Sequence, residues 1–340
     1  MLLPASQAAI LALLVVSLLC WGLWANTLKL TGKWRFELYF YDFALGFLLL
    51  AVVAAFTAGS LASSELTFQE NFLVAGYRNI AYVLAAGVIF NVGNMLLTAT
   101  VSVAGMALAF SVTGGVALTV ATVRALIFDS PSGILVTVAG AALLLAAVVL
   151  AAYAYRTFLA SRADAIRQSG KRPPQSPGAA LPVALGAAAG IALGLFRPLL
   201  DLGRVTDSGV APYGQALLFA ASILGSTIVL APFFFNFPVA GAPIKFSDYF
   251  AGTRKQHVLG LLGGILTGVA FLTGMLALAA LRNALGLNYG LSEGGPVLAV
   301  LCGLLLWREF KGGGERPRVL SIVTLILFVA GVALLAVSRG

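Results

Sequence analysis

Charge is what this chain has least of. Of 340 residues only 10% are Asp, Glu, Lys or Arg, whereas a soluble domain carries about 25%. So few charges cannot cover a water-facing surface, which excludes the soluble classes of enzyme and binding module. Histidine occurs once, as His257, and cysteine twice, as Cys20 and Cys302, both inside apolar runs. Three such residues make neither a disulfide framework nor a structural metal site. The thiols read as small buried hydrophobes, and no metal or cofactor is expected. No cluster of acids or histidines stands at the end of an apolar run, which argues against a membrane-embedded enzyme. The net charge of +9 comes without a basic stripe interleaved with aromatics, so nucleic acid is excluded as a partner.

What is present is apolar length: 60% of the residues are hydrophobic. A bilayer core needs about 20 apolar residues per helix, and ten runs meet that length. They are 6–26, 38–58, 79–100, 103–127, 134–155, 180–200, 212–235, 257–281, 287–307 and 319–338. Backbone groups in lipid must be paired within each segment, so these runs predict an all-α integral membrane protein with ten transmembrane helices. The first run has no A-x-A-like cleavage site and reads as a retained span. The longest polar interruption, 156–179, holds Arg156, Arg162, Arg167, Lys171, Arg172 and the pair Pro173-Pro174.

That interruption separates two related halves. Residues 22–47 moved forward by 172 coincide with eight positions, among them Gly22 with Gly194, Tyr41 with Tyr213 and Phe47 with Phe219. Residues 93–120 moved by 180 coincide at eight more, including Met95 with Met275 and Gly114-Gly115 with Gly294-Gly295. The expected organisation is a first five-helix repeat (1–155), a basic cytoplasmic linker (156–179) and a second five-helix repeat (180–340). Fifteen of the 21 Lys and Arg residues fall in the loops on the linker's side, which the positive-inside rule makes cytoplasmic. Both termini are then extracytoplasmic. With an odd number of spans per half, the repeats are inverted, as in many secondary transporters.

Polar groups within spans are costly and mark solute or ion pathways. In the third run Gly87, Asn91, Asn94 and Thr98 recur at spacings that place them on one helix face. An Asn side chain donates and accepts, as a hydroxyl- or amide-rich solute requires, although it also serves as interhelical glue. Ser17, Trp21 and Trp24 share a face of the first run, with Asn26 just beyond, and indoles stack on sugar rings or planar heterocycles. Gln215, Phe219, Ser222 and Ser226 form a weaker stripe in the seventh run. Gly260, Gly264 and Gly268 in the eighth read as a helix-packing face. Two carboxyl groups are candidates for proton coupling. Glu293 follows Asn288 and Tyr289 and precedes Gly294-Gly295-Pro296, where a weakened helix frees backbone groups for a ligand. Asp42 lies four residues into the second run.

The segment Cys20-Trp21-Gly22-Leu23-Trp24-Ala25-Asn26-Thr27, followed by Lys29, Arg35, Glu37 and Asp42, resembles the first helical pair of the ureide permease branch of the drug/metabolite transporter superfamily (ten-helix, EamA-like). Gly93-Asn94-Met95 through Gly105-Met106 is similar to the rhamnose–proton symporter branch, to which glucose uptake proteins are also related. So are Val300-Leu301-Cys302-Gly303 and Arg316-Pro317-Arg318-Val319-Leu320-Ser321. The resemblance implies a ten-helix transporter of a small neutral solute with a coupled cation. Asn288 stands where that branch implies an acidic residue. Ser169-Gly170-Lys171 lacks the glycine-rich lead of a phosphate-binding loop, so no nucleotide is expected.

The expected function is therefore secondary active transport of a small neutral polar organic solute, a sugar such as rhamnose or glucose, or a ureide or nucleobase. Proton-coupled import by alternating access is what the resemblance implies. Trp21, Trp24, Asn26, Asn91, Asn94, Asn288 and Tyr289 are expected to bind solute, and Glu293 and Asp42 to couple the proton. The alternatives are a drug or metabolite exporter and, in another class, a non-transporting scaffold or receptor. The expected partners are the solute, H+ or Na+, and the lipid of a plasma membrane (a bacterial inner membrane), with a homodimer as the alternative to a monomer.

Overall fold

The computed structural model describes residues 2–61, 66–128, 133–172, 178–204, 208–280, 291 and 293–338. Among these residues all regular structure is helical. The helices are α1 (Gln7–Leu23), α2 (Ala25–Leu30), α3 (Phe36–Phe56), α4 (Phe68–Val74), α5 (Tyr77–Ala104), α6 (Met106–Phe128) and α7 (Ile134–Gln168). They continue as α8 (Ala180–Leu202), α9 (Pro212–Asn236), α10 (Ser247–Phe250), α11 (Arg254–Ala280), α12 (Gly295–Leu301) and α13 (Glu315–Val337). Nine helical segments among the described residues are long and apolar enough to cross a membrane, α1 and α2 counting as one. They correspond to nine of the ten apolar runs. Of the remaining run, 287–307, residues 287–290 and 292 lie outside the described residues, and what is described is a shorter apolar helix, Gly295–Leu306. Its last five residues, Cys302–Leu306, form a π-helical turn.

The distribution of side chains is that of a protein in lipid. Leu135, Val149, Val229 and Leu305 stand at least two-thirds exposed, whereas Asn91, Gln215, Thr227 and Thr267 are wholly buried. An apolar exterior around polar interior groups is stable only where the surroundings are hydrocarbon.

The chain forms two compact units, 1–95 with 195–284, and 96–194 with 285–340. Each draws segments from both sequence halves. In the first unit α11 packs on α3 and on α1, and α3 packs on α9. The α3–α11 contact is made close by the expected glycine face. A Cβ at Gly264 would overlap the Phe43 carbonyl, one at Gly260 the Asp42 side chain, and one at Gly268 the Leu50 and Phe47 side chains. Next to this seam Phe219 stacks on Phe271 at 4.3 Å and 21°, with Phe47 and Phe90 at 6.0 and 5.1 Å from Phe219.

In the second unit α7 packs on α13 and α6, with Leu118, Leu144, Phe328 and Leu335 in the shared core. Here α5 turns directly into α6 through Gly105, whose φ of +87° is accessible to glycine. The carboxylate of Glu309 accepts hydrogen bonds from the backbone N–H groups of Met106 (2.8 Å) and Ala107 (2.7 Å). A carboxylate across the positive end of a helix satisfies two amides that otherwise lack partners.

Candidate transport site

Near the start of α3 the chain buries a carboxylate and surrounds it with proton donors. Asp42 Oδ1 accepts a hydrogen bond from the Tyr249 hydroxyl at 2.6 Å. Oδ2 lies 2.8 Å from His257 Nδ1. The Asp42 side chain is 4% exposed and that of His257 26%, so one end of the pair is buried and the other reaches the surface. The three groups come from three elements. α3 supplies Asp42, the short α10 supplies Tyr249, and the first turn of α11 supplies His257. Gly260, one turn beyond His257, has no side chain to hold α11 away from Asp42. Tyr249 and His257 meet edge-on at 4.8 Å. Trp34 closes the cluster, stacked on Tyr249 at 6.4 Å and edge-on to His257 at 4.9 Å. Its indole Nε1 is buried with no hydrogen-bond partner among the described residues. Burial, then the hydrogen bond to the carboxylate, pushes the Tyr249 phenol well above its ordinary range, so it remains a neutral donor.

The same stretch anchors the α9–α11 connection a second time. Arg35 clamps the wholly buried Glu37 with two hydrogen bonds (2.6 and 3.1 Å) and donates a third to the Ala242 carbonyl at 3.0 Å. Bidentate pairing of this kind is what a buried carboxylate requires.

The polar face of α5 meets α9. Asn91 Nδ2 is 2.9 Å from Ser226 Oγ, 3.0 Å from Thr227 Oγ1 and 3.2 Å from the Ile223 carbonyl. Two hydrogens are thus shared among three acceptors. Asn91 Oδ1 is buried without a partner among the described residues. Gly87 lies against Ser222 and the Phe219 carbonyl. On the stripe of α9, Gln215 donates to the Leu200 carbonyl. This face is therefore interhelical glue that leaves two amide oxygens over, Asn91 Oδ1 and Gln215 Oε1.

Of the residues proposed from sequence to bind solute, Trp21 is half-buried and packs edge-on against Phe90 at 5.9 Å. Trp24 is 1% exposed, with its ring 5.4 Å from Phe43. Asn26 donates to the Leu23 carbonyl and Asn94 is buried. Trp21, Trp24, Asn26, Asn91, Asn94 and Asp42 all belong to the first unit. Glu293 belongs to the second, half-buried just ahead of α12. Asn288 and Tyr289 lie outside the described residues. Asp201 accepts a hydrogen bond from Arg204 at 3.2 Å. His257 was not expected to take part. The available signal was that the only histidine opens the eighth run on the same expected membrane face as Asp42.

No family model matches the chain. Three proteins of Arabidopsis thaliana are similar to it from end to end. Ureide permease 1 is 21% identical and ureide permease 4 is 23% identical, with 98% of both chains covered in each case. Ureide permease 2 is 20% identical over 100% of this chain and 99% of its own. The chain is related to transport proteins, and the likeness to ureide permeases runs well beyond the segments that first suggested it. A crystal structure of a further protein, 16% identical, superposes with a TM-score of 0.53 over 97% of this chain and 96% of the other. That likeness is one of fold alone.

Proposed function

We propose that this chain is a secondary active transporter that imports a small, neutral, polar solute of the ureide or nucleobase class together with a proton. The observation that carries this reading is the end-to-end similarity to ureide permeases. The buried polar groups within apolar helices support it, since such groups in a membrane mark a solute path. A ureide presents several N–H donors and carbonyl acceptors. The spare Oδ1 of Asn91 suits an N–H donor, and the Trp34 indole N–H suits a carbonyl. Trp21, Trp24, Asn26 and Asn94, with Asn288 and Tyr289, complete the proposed solute set.

Alternating access uses the two five-helix repeats, 1–155 and 180–340, joined by the cytoplasmic linker 156–179 and inverted in a plasma membrane. Coupling rests on Asp42, the buried carboxylate held by two proton-bearing groups, with Glu293 as a second carboxyl. The test is uptake of a labelled ureide into proteoliposomes with and without an inward pH gradient. Accumulation is expected only with the gradient, and Asp42→Asn is expected to lower it about 100-fold. Gradient-driven accumulation at the wild-type level in Asp42→Asn would remove Asp42 from the coupling mechanism.

A further inference from the structure

We infer that Asp42, His257 and Tyr249 form one proton-binding centre, in which the transported proton enters at Nε2 of His257 while Asp42 holds Nδ1. The role in transport rests on the function proposed above; the existence of the centre does not. The geometry supplies three requirements. The carboxylate is buried and satisfied on both oxygens, by Tyr249 on Oδ1 and His257 on Oδ2. The imidazole is partly open to water, so a proton can reach it. Nε2 is turned away from Asp42 toward Gly252, where even a methyl group would stand 2.7 Å from it. Glycine there keeps a side chain off the second nitrogen.

The groups facing Asp42 are few. α11 contributes His257 and the bare backbone of Gly260, and α10 contributes Tyr249. From α3 itself Tyr39 directs its hydroxyl to Thr27 of α2 at 2.7 Å, and Tyr41 packs its ring on Tyr249 at 5.8 Å. Among the described residues His257 is the one basic side chain within salt-bridge distance of Asp42. Nδ1 and Oδ2 therefore share one proton as a unit, and the pair carries a charge of −1. A proton from water adds to Nε2 and brings the pair to zero; its departure from the same atom restores −1. No other bond is made or broken, and Tyr249 keeps its proton throughout. A neutral pair crosses apolar surroundings more readily than a charged one, which ties movement of this centre to proton occupancy. Tyr249 makes the same event structural, because its hydroxyl fastens the α9–α11 connection to the carboxylate that changes charge.

His257 is the chain's only histidine, so a single ring reports the centre. The experiment is nitrogen-15 NMR of ring-labelled full-length protein in detergent, purified without a histidine tag and followed from about pH 5 to 8. In the wild type the added proton is expected at Nε2 and not at Nδ1. The Nδ1 resonance is expected to move when Asp42→Asn or Tyr249→Phe is introduced. An added proton found at Nδ1, or an Nδ1 signal unchanged by Asp42→Asn, would overturn the centre. In proteoliposomes, His257→Gln is expected to lower the ratio of gradient-driven accumulation to exchange of a labelled ureide by roughly ten-fold or more. An unaltered ratio would overturn the coupling role. If the wild type moves no ureide, the transport reading fails while the NMR result still decides the centre. The same holds if His257→Gln does not fold, since the wild-type titration and Tyr249→Phe remain.

Discussion

Asn91 shows how far one side chain can be read. Its helical spacing from Gly87 and Asn94 placed it on a common face, and the structure turns that face to α9. Replacing Asn91 with Leu keeps the branched shape of the side chain but leaves the Ile223 carbonyl and two hydroxyls without its donor. A lost buried hydrogen bond costs about 0.5–1.5 kcal/mol, so Asn91→Leu should lower the unfolding temperature of the purified protein measurably. An unfolding temperature equal to wild type would show that Ser226 and Thr227 satisfy themselves on their own helix. Asp42 was visible because a carboxyl within an apolar run is rare. His257 was not, because its partner lies 215 residues away and no local pattern carries a long-range pair.

Two contacts at the scale of helices allow sharp contrasts. The α3–α11 seam was legible as a four-residue glycine period, and the structure supplies the reason: the Phe43 carbonyl occupies the space of a Gly264 side chain. Gly264→Val should force the helices apart, at a cost of about 1–3 kcal/mol for overpacking. Gly225 of α9 has nothing within 4 Å of its Cβ position, and Gly225→Ala should gain up to about 1 kcal/mol from helix propensity. Thermal unfolding of both variants checks the pair; equal shifts would discredit the close-approach argument. The short helix α4 was absent from the sequence reading because seven residues are too few for a period to show. It opens with a capping box in which Glu70 accepts from the Thr67 backbone and hydroxyl. The backbone hydrogen bond, then the hydroxyl, holds the Glu70 carboxyl below its ordinary range. A lowered native value means the cap contributes fully above the ordinary glutamate range and is lost as pH falls through that lower value. Amide exchange in α4, measured by mass spectrometry after acid pulses, should therefore quicken only at the acid end. Protection independent of pH would contradict the role given to Glu70.

Among the described residues, apolar run length located nine helices long enough to span, to within a few residues at their ends except that α7 continues to Gln168, well past its apolar run, because lipid permits little other than helices. The order of the helices could be read, but their grouping could not. Periodicity describes a helix by itself, and the assignment of α11 to α3, or of α12 to α6, depends on contacts across more than 150 residues. At 35 residues α7 is the longest helix described, about 52 Å at 1.5 Å per residue, against a hydrocarbon layer of about 30 Å. Its final turns, with Arg156, Arg162 and Arg167, stand clear of the membrane and carry the exposed Lys171 and Arg172 beyond them. Trypsin can therefore sever the polypeptide there without touching a spanning segment. Since α3 grips α11 and α6 grips α12 across that cut, the two fragments should stay together through purification and come apart only when the protein is denatured.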